Sequence, residues 1–256
     1  MPASARTASA RTALRVDNLS AGYRGDLVVH NVSLEIRANE IGALVGPNGC
    51  GKSTLLKAIS GVLTPASGTV TLGESPGREL TGLPPQELAA CGLGYVPQLA
   101  NTFPSLTVLE NLRVGLSGRA WKRARERQAE MFELFPDLYA ARTRLARQLS
   151  GGQREMLALA IALIRNPSII LVDEPSAGLS PKFKDLIWEH LVRLRSAGVA
   201  LLVVEQDVSG IMEIADIAHL MVDGSIAMSG AGRDLLQDKE LASRYLGVDA
   251  VIAEAD

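Results

Sequence analysis

A glycine-rich segment that ends in a lysine and a hydroxyl residue is the first part of the sequence with an evident chemistry. Residues 46–53 read Gly-Pro-Asn-Gly-Cys-Gly-Lys-Ser and fit the pattern G-x-x-x-x-G-K-[ST] in full. Glycines let the backbone aim several N–H groups at one anion, and a helix that starts there adds partial positive charge. We predict a phosphate-binding loop in which Lys52 reaches the β- and γ-phosphates and Ser53 is a ligand of Mg²⁺; a chance glycine-rich turn is the alternative. The residues predicted to bind the nucleotide here are Gly46, Pro47, Asn48, Gly49, Cys50, Gly51, Lys52, Ser53 and Thr54.

A pair of carboxylates after an apolar run is the second candidate. Residues 169–174 read Ile-Ile-Leu-Val-Asp-Glu. Two acids at the tip of a buried strand are costly unless they meet a cation or take part in chemistry. We predict that Asp173 holds Mg²⁺ through a water molecule and that Glu174 polarises the attacking water. Taken alone, the segment fits two solvated acids equally well, and the phosphate-binding loop is what favours the catalytic interpretation.

The segment Leu-Ser-Gly-Gly-Gln at 149–153 combines a helix start with a second potential anion site. Ser150 is a good N-cap residue, and a helix over 151–165 is predicted to follow it. The amides at the start of that helix and the Ser150 hydroxyl can together bind a phosphate. A plain helix cap with flexible glycines is the alternative, and the two interpretations are compatible.

The motif at 149–153 resembles the signature of the ATP-binding-cassette (ABC) ATPases, and the likeness covers roughly residues 14–247. The resemblance implies an ATPase that binds ATP and Mg²⁺. It also implies a head-to-tail dimer in which the signature of one subunit closes on the ATP held by the other. The signature residues predicted to bind nucleotide are Ser150, Gly151, Gly152 and Gln153.

Three further positions match the family one by one. Tyr23 matches the aromatic residue that stacks on adenine, and a partly buried loop tyrosine is the alternative. Gln98 matches the glutamine that bridges Mg²⁺, the attacking water and the membrane partner. Residues 176–180 match the loop that crosses the dimer.

Two positions depart from the general family pattern. Ser180 stands where an aspartate is usual; both residues are good N-caps, so a helix is still expected to begin there. Gln206 stands where a switch histidine is usual, and it can donate a hydrogen bond to a γ-phosphate without carrying charge. The resemblance assigns Gln206 a catalytic role beside Glu174; the alternative is that it only caps the helix near Asp207.

These departures resemble one branch of the family, the ATPase subunits of branched-chain amino acid importers and, more distantly, of urea importers. The branch motifs are Val-Glu-Gln at 204–206, Ser-x-Gly-Leu-x-Pro at 176–181, Tyr-Leu-Gly at 245–247 and the segment 103–112. This likeness implies a second ATPase subunit, two membrane-spanning permease subunits and, indirectly, an extracytoplasmic solute-binding protein. It places the chain at the cytoplasmic face of the membrane. A soluble non-transport cassette ATPase and an exporter ATPase are the rivals.

A sheet is needed to position these groups, and the sequence predicts one. Short apolar runs predict buried strands at 41–45, 93–96, 169–172 and 199–204, with further strands at 14–19, 32–36 and 69–72 and a hairpin of 217–222 with 225–228. Helices are predicted at 52–60, 108–114, 122–135 and 151–165 and from residue 181. Together with the resemblance this predicts an α/β fold with a P-loop NTPase core, an antiparallel β subdomain and a helical subdomain. The predicted division is one domain over 13–250, its helical subdomain at roughly 104–166, and flexible tails at 1–12 and 251–256.

Composition excludes several other classes. Hydrophobic residues make up 47% and charged residues 21%, which suits a folded core. A net charge of -2 argues against a nucleic-acid partner. No apolar run approaches the ~20 residues that a membrane span needs. With only Cys50 and Cys91, a disulfide framework is not expected. Cys50, inside the phosphate loop, is predicted to react with thiol reagents faster than Cys91.

Overall fold

The computed structural model describes residues 11–74, 76–99, 101–116 and 123–237, and it contains two sheets and their helices. The strands are β1 (Thr12–Tyr23), β2 (Asp26–Arg37), β3 (Ile41–Val45), β4 (Ser67–Leu72), β5 (Arg78–Glu79), β6 (Leu93–Val96), β7 (Ile169–Asp173), β8 (Ala200–Val204), β9 (Ile217–Val222) and β10 (Ser225–Gly230). The helices are α1 (Lys52–Ile59), α2 (Pro85–Cys91), α3 (Val108–Gly115), α4 (Ala124–Leu134), α5 (Pro136–Ala140), α6 (Gly151–Leu163), α7 (Pro181–Ser196), α8 (Val208–Ile214) and α9 (Gly232–Gln237).

The larger sheet brings the ends of its parallel strands to one edge. Its order is β10-β9-β3-β8-β7-β6, with parallel pairing from β9 to β6 and an antiparallel β9–β10 hairpin. Every residue of β3, β7 and β8 is buried, which explains their unbroken apolar runs. The phosphate loop follows β3, Gln98 follows β6, Glu174 follows β7 and Gln206 follows β8. Because parallel strands end at the same edge, these four segments meet there.

Two apolar clusters cover the two faces of this sheet. Along β7, Ile170 and Val172 pack into the cluster that includes buried residues of α3, α6, α7 and α8. The alternate residues, Ile169 and Leu171, pack into the cluster formed with α1 and the first two strands. The smaller, antiparallel sheet has the order β2-β1-β4-β5. A core layered on both faces holds the strand ends in fixed relative positions.

The predicted α/β fold, with its antiparallel strand region, is confirmed. The short helices α2, α5, α8 and α9 and the strand β5 were absent from the prediction, because pieces of two to seven residues carry too little periodicity to be recognised. Residues 104–166 contain α3 to α6, and their grouping as a subdomain stays a prediction. Of the predicted tails, only Arg11 and Thr12 lie within the described residues, and Thr12 already begins β1. Within the described part of the chain, no helix combines the length and apolar character needed to cross a bilayer.

The start of α7 corrects one expectation. The helix begins at Pro181 as predicted, but the Ser180 side chain makes no capping hydrogen bond. Its main-chain carbonyl oxygen accepts instead from the N–H groups of Phe183 and Lys184, at 2.9 and 3.0 Å. The Phe183 N–H, at the third helical position, is a donor that a capping side chain would serve, and the carbonyl oxygen of Ser180 already satisfies it.

His190, on α7, is buried. Its side chain is 4% exposed, and its ring centroid lies 4.8 Å from that of Phe135. The sequence of α7 alone gives no sign that Phe135, at the end of α4, packs against this residue. Burial lowers the pKa of His190.

Candidate active site

The loop between β3 and α1 brings a lysine and free helical amides to the sheet edge. Gly46 has φ +148°, and a Cβ there would lie 2.1 Å from the carbonyl oxygen of Met221, so no other residue fits. The N-cap residue of α1 is Gly51, which has no side chain to cap the helix, so the first N–H groups of α1 are available to an anion.

Lys52 is held inside this loop. Its side chain is 5% exposed, and Nζ donates to the carbonyl oxygens of Gly46 and Pro47 at 2.7 and 2.9 Å. The third donor of the ammonium group is directed toward Cys50 Sγ at 3.9 Å, a weak acceptor that a phosphate oxygen can replace. Lys52 is therefore placed to bind phosphate with little rearrangement.

A cleft of about 210 Å³ opens beside the loop. It combines the phosphate loop with two groups from other strand ends. The lining residues are Val28, Asn48, Gly49, Gly51, Lys52, Ser53, Thr54, Glu174 and Gln206. The structure thus brings most of the predicted phosphate contacts together with two of the three predicted catalytic residues.

Ser53 and Asp173 meet at the base of the site. Ser53 Oγ donates to Asp173 Oδ1 at 3.1 Å, and Asp173 is 4% exposed. Burial raises the pKa of Asp173, while the Ser53 hydrogen bond and the charges of Lys57 and Lys52 lower it. Paired hard oxygen donors, one of them a buried carboxylate that lacks full compensation, fit Mg²⁺.

Glu174 is held by two amides. Its Oε2 accepts from Gln98 Nε2 at 2.6 Å, and its Oε1 accepts from Gln206 Nε2 at 2.7 Å. A carboxylate only accepts, so both amides must present their NH₂ groups to it. The backbone of Glu174 is left-handed, with φ 51°, and its N–H donates to the carbonyl oxygen of Val204 at 2.9 Å. Both the main chain and the side chain of Glu174 are therefore fixed, which suits a group that must orient one water molecule.

The contact between Gln206 and Glu174 bears on the two interpretations of Gln206. The N-cap position of α8 belongs to Asp207, and the Gln206 amide is directed into the cleft. A helix-capping role therefore does not describe Gln206. Its catalytic role stays a proposal.

The signature residues form a helix cap away from this cleft. Ser150 Oγ accepts from the Gln153 N–H at 3.2 Å, and Gln153 Oε1 accepts from the Ser150 N–H at 3.1 Å. Gly152 is required by close packing, because a Cβ there would lie 2.4 Å from a ring carbon of Phe183. None of Ser150, Gly151, Gly152 and Gln153 is among the described residues that line the cleft of their own chain.

Tyr23 lies at the end of β1 with 45% of its surface exposed, and it is likewise not among the described cleft-lining residues. Sequence reasoning missed Val28, which lines the cleft from β2 and carries no distinguishing signal. It also missed Glu205, which is 1% exposed directly before Gln206. The position of Glu205 directly after the apolar run of β8 was the feature of the sequence that could have indicated a buried carboxylate.

Comparison with known proteins agrees with this geometry. Residues 29–177 match the ABC transporter family model. A probable branched-chain amino acid transport ATP-binding protein of Archaeoglobus fulgidus is 41% identical over 92% of this chain and 99% of its own length. A lipopolysaccharide export system ATP-binding protein of Haemophilus influenzae is 34% identical over 91% of this chain and 97% of its own length.

Solved structures show the same fold. The ADP conformation of an ATP-binding cassette of an ABC transporter superposes with a TM-score of 0.80 at 26% identity, covering 91% of this chain and 97% of that one. A dimeric bacterial ABC transporter cassette gives a TM-score of 0.73 at 28% identity, covering 86% and 99%. The chain therefore belongs to the ABC transporter family and is one of its ATPases.

Proposed function

We propose that the chain is the ATP-hydrolysing subunit of an importer, and that its solute is a branched-chain amino acid. The observation that carries the enzymatic part is the position of Glu174. Its carboxylate is held by two amides in a cleft shared with Lys52 and Ser53. A fixed carboxylate beside a phosphate-binding loop is the arrangement that directs water at a terminal phosphate.

In this proposal, each group of residues in the cleft has a separate role that follows from its position. Lys52 and the free amides of α1 bind the phosphates, and Tyr23 stacks on adenine. Ser53, Gln98 and Asp173 (the last through water) would hold Mg²⁺, which supplies neutralisation of phosphate charge. Glu174 orients the attacking water and takes its proton, while Gln98 and Gln206 keep the carboxylate aimed.

A second subunit, identical or a sibling, completes the nucleotide site in this proposal. The signature lies outside the cleft of its own chain, yet its helix start offers amides and a hydroxyl to an anion. A head-to-tail pair brings Ser150–Gln153 of each subunit to the nucleotide of the other. The dimeric structure of a related cassette supports the pairing of two subunits.

For the solute and the partners, the support comes from the relatives. The archaeal relative named for branched-chain amino acid transport is the more similar of the two relatives described above, and it is matched over almost its whole length. On this basis the chain works with two membrane-spanning permease subunits at the cytoplasmic face of the membrane. An extracytoplasmic binding protein delivers the solute and acts on the chain only indirectly. Urea or an amide is the alternative solute.

An exporter role is the second candidate, because relatives named for lipopolysaccharide export are 32–34% identical over more than nine-tenths of the chain. The two functions differ in the membrane subunits that the cassette engages. A soluble cassette ATPase without membrane partners is the remaining rival.

Purification of the chain with its partners from native membranes tests the proposal. The complex is reconstituted into vesicles with its binding protein, and accumulation of labelled leucine, isoleucine and valine is measured against urea. The same complex carrying Glu174→Gln is the matched control. We expect ATP-dependent accumulation of the amino acids in the wild-type complex alone. Partners of a lipid exporter, or no membrane partner, would contradict the importer proposal.

A further inference from the structure

Glu205 is a buried carboxylate whose hydrogen-bond donors are three main-chain N–H groups and the Ser176 side chain. It follows β8, is 1% exposed, and accepts from Ser176 N at 2.8 Å, Gln206 N at 3.1 Å and Asp207 N at 3.4 Å. Burying a carboxylate is unfavourable unless donors surround it, and burial raises the pKa of Glu205 while these hydrogen bonds lower it. Its donors come from two loops.

The two oxygens of Glu205 join those loops. Oε1 accepts from Ser176, in the loop that begins with Glu174, whereas Oε2 accepts from Gln206 and Asp207. On the cleft side of these Glu205 hydrogen bonds, the Gln206 side chain donates to Glu174 Oε1 at 2.7 Å. The same two loops are therefore connected twice, once in the cleft and once behind it.

The far side of Gln206 is anchored too. Asp207 Oδ2 accepts from Lys184 Nζ on α7, and this hydrogen bond is the largest cause that lowers the pKa of Asp207. Gln206 itself is exposed to the cleft. The Gln206 amide is thus placed by a main chain that is fixed on both sides.

We propose that Glu205 is a positioning residue for ATP hydrolysis, which sets Gln206 against Glu174 by holding the two loops at a fixed separation. The inference rests on the proposed hydrolytic role of Glu174 and Gln206. A carboxylate is needed because both oxygens must accept. An amide has one acceptor and would turn an NH₂ group toward main-chain donors, so that one arm of the bridge is lost.

The test is a double-mutant cycle on the assembled ATPase, with turnover and ATP affinity measured separately. The variants are Glu205→Gln, Gln206→Ala and the double mutant, with Glu213→Gln, an exposed acid on α8, as matched control. We expect Glu205→Gln to lower kcat about tenfold, as loss of one well-placed contact does, with ATP affinity changed less than about twofold. In the Gln206→Ala background, Glu205→Gln should have no further effect on kcat.

The outcomes that contradict the Glu205 proposal can be distinguished from those that contradict the proposed hydrolytic site. If Gln206→Ala is slow and the two losses in kcat multiply, or Glu205→Gln turns over normally, the positioning role is wrong while the hydrolytic site stands. If Gln206→Ala itself has wild-type turnover, the proposed role of Gln206 fails, and the inference about Glu205 fails with it. If Glu205→Gln loses ATP binding, Glu205→Asp is the variant that tests the proposal. Its side chain keeps both acceptor oxygens but is one methylene shorter, so the oxygens lie further from the donors. We expect it to bind ATP and to lose part of kcat, and unchanged kcat would overturn the proposal.

Discussion

The geometry of the site predicts in most detail the effect of replacing Glu174 by glutamine. The change keeps the size of the side chain and removes the capacity to take a proton. Glu174 accepts from both Gln98 and Gln206, so a glutamine there leaves one amide donor facing an NH₂ group unless its neighbour rotates. That mismatch costs about one hydrogen bond, roughly 1 kcal/mol, or about fivefold in rate. Loss of general-base assistance costs about 10²–10⁴-fold, so the chemical effect dominates.

ATP binding should survive in Glu174→Gln, because Lys52, Ser53 and the amides of α1 are untouched. The assay is phosphate release under saturating ATP, and the ATP affinity and the oligomeric state of the chain are measured in parallel. We expect turnover to fall by at least about 10²-fold, with near-normal affinity and accumulation of an ATP-bound dimer. Glu213→Gln on α8 is the control for removal of an acid. Near-normal turnover would refute the catalytic assignment of Glu174.

Four further predictions concern neighbouring groups. Lys52→Ala should weaken ATP binding by about 10–100-fold through loss of a charge-assisted hydrogen bond, whereas Ser53→Ala should mainly change the Mg²⁺ dependence. ATP affinity is measured with and without Mg²⁺, and unchanged affinity in Lys52→Ala would contradict the phosphate-loop assignment. Gln206→Ala should lower turnover about tenfold with little change in affinity, and Gln206→His should retain activity because imidazole offers a donor at the same place; steady-state assays of both decide. Cys50 is 7% exposed and Cys91 is only partly buried, so a thiol reagent should label Cys91 first, the reverse of the sequence expectation, and ATP should slow labelling of Cys50 further. Burial raises the pKa of Glu155 from 4.5 to about 7, so its contribution favours folding most below pH 4.5 and is lost as pH rises through 7; Glu155→Gln should therefore raise the melting temperature at pH 8 more than at pH 5.

The strands and the first helix of the site could be predicted because their causes are local. β3 and β7 are buried on both faces and therefore read as uninterrupted apolar runs. Each ends at a residue with an evident task, Gly46 after β3 and Asp173 at the end of β7. The helix cap at Ser150 was equally local, since its reciprocal hydrogen bonds join residues three positions apart.

The arrangement around Glu174 could not be predicted in the same way. Its two amide partners lie 76 and 32 residues away in sequence, and only the strand order of the sheet makes them neighbours. The family resemblance supplied roles for Gln98 and Gln206, but not their hydrogen bonds to the carboxylate. The role of Glu205 could not be predicted, because the sequence does not distinguish a buried carboxylate that accepts from main-chain donors from a solvated one.

We infer that this chain hydrolyses ATP at Glu174 in a cleft that a second subunit completes. The test is phosphate release over a series of protein concentrations with saturating ATP and Mg²⁺, by the purified chain alone and, if it pairs with a sibling ATPase subunit, by the chain together with that sibling. We expect the rate per chain to rise with concentration as dimers form, and we expect Glu174→Gln to release almost no phosphate at any concentration. A rate per chain that is independent of concentration, or that survives in Glu174→Gln, would contradict it.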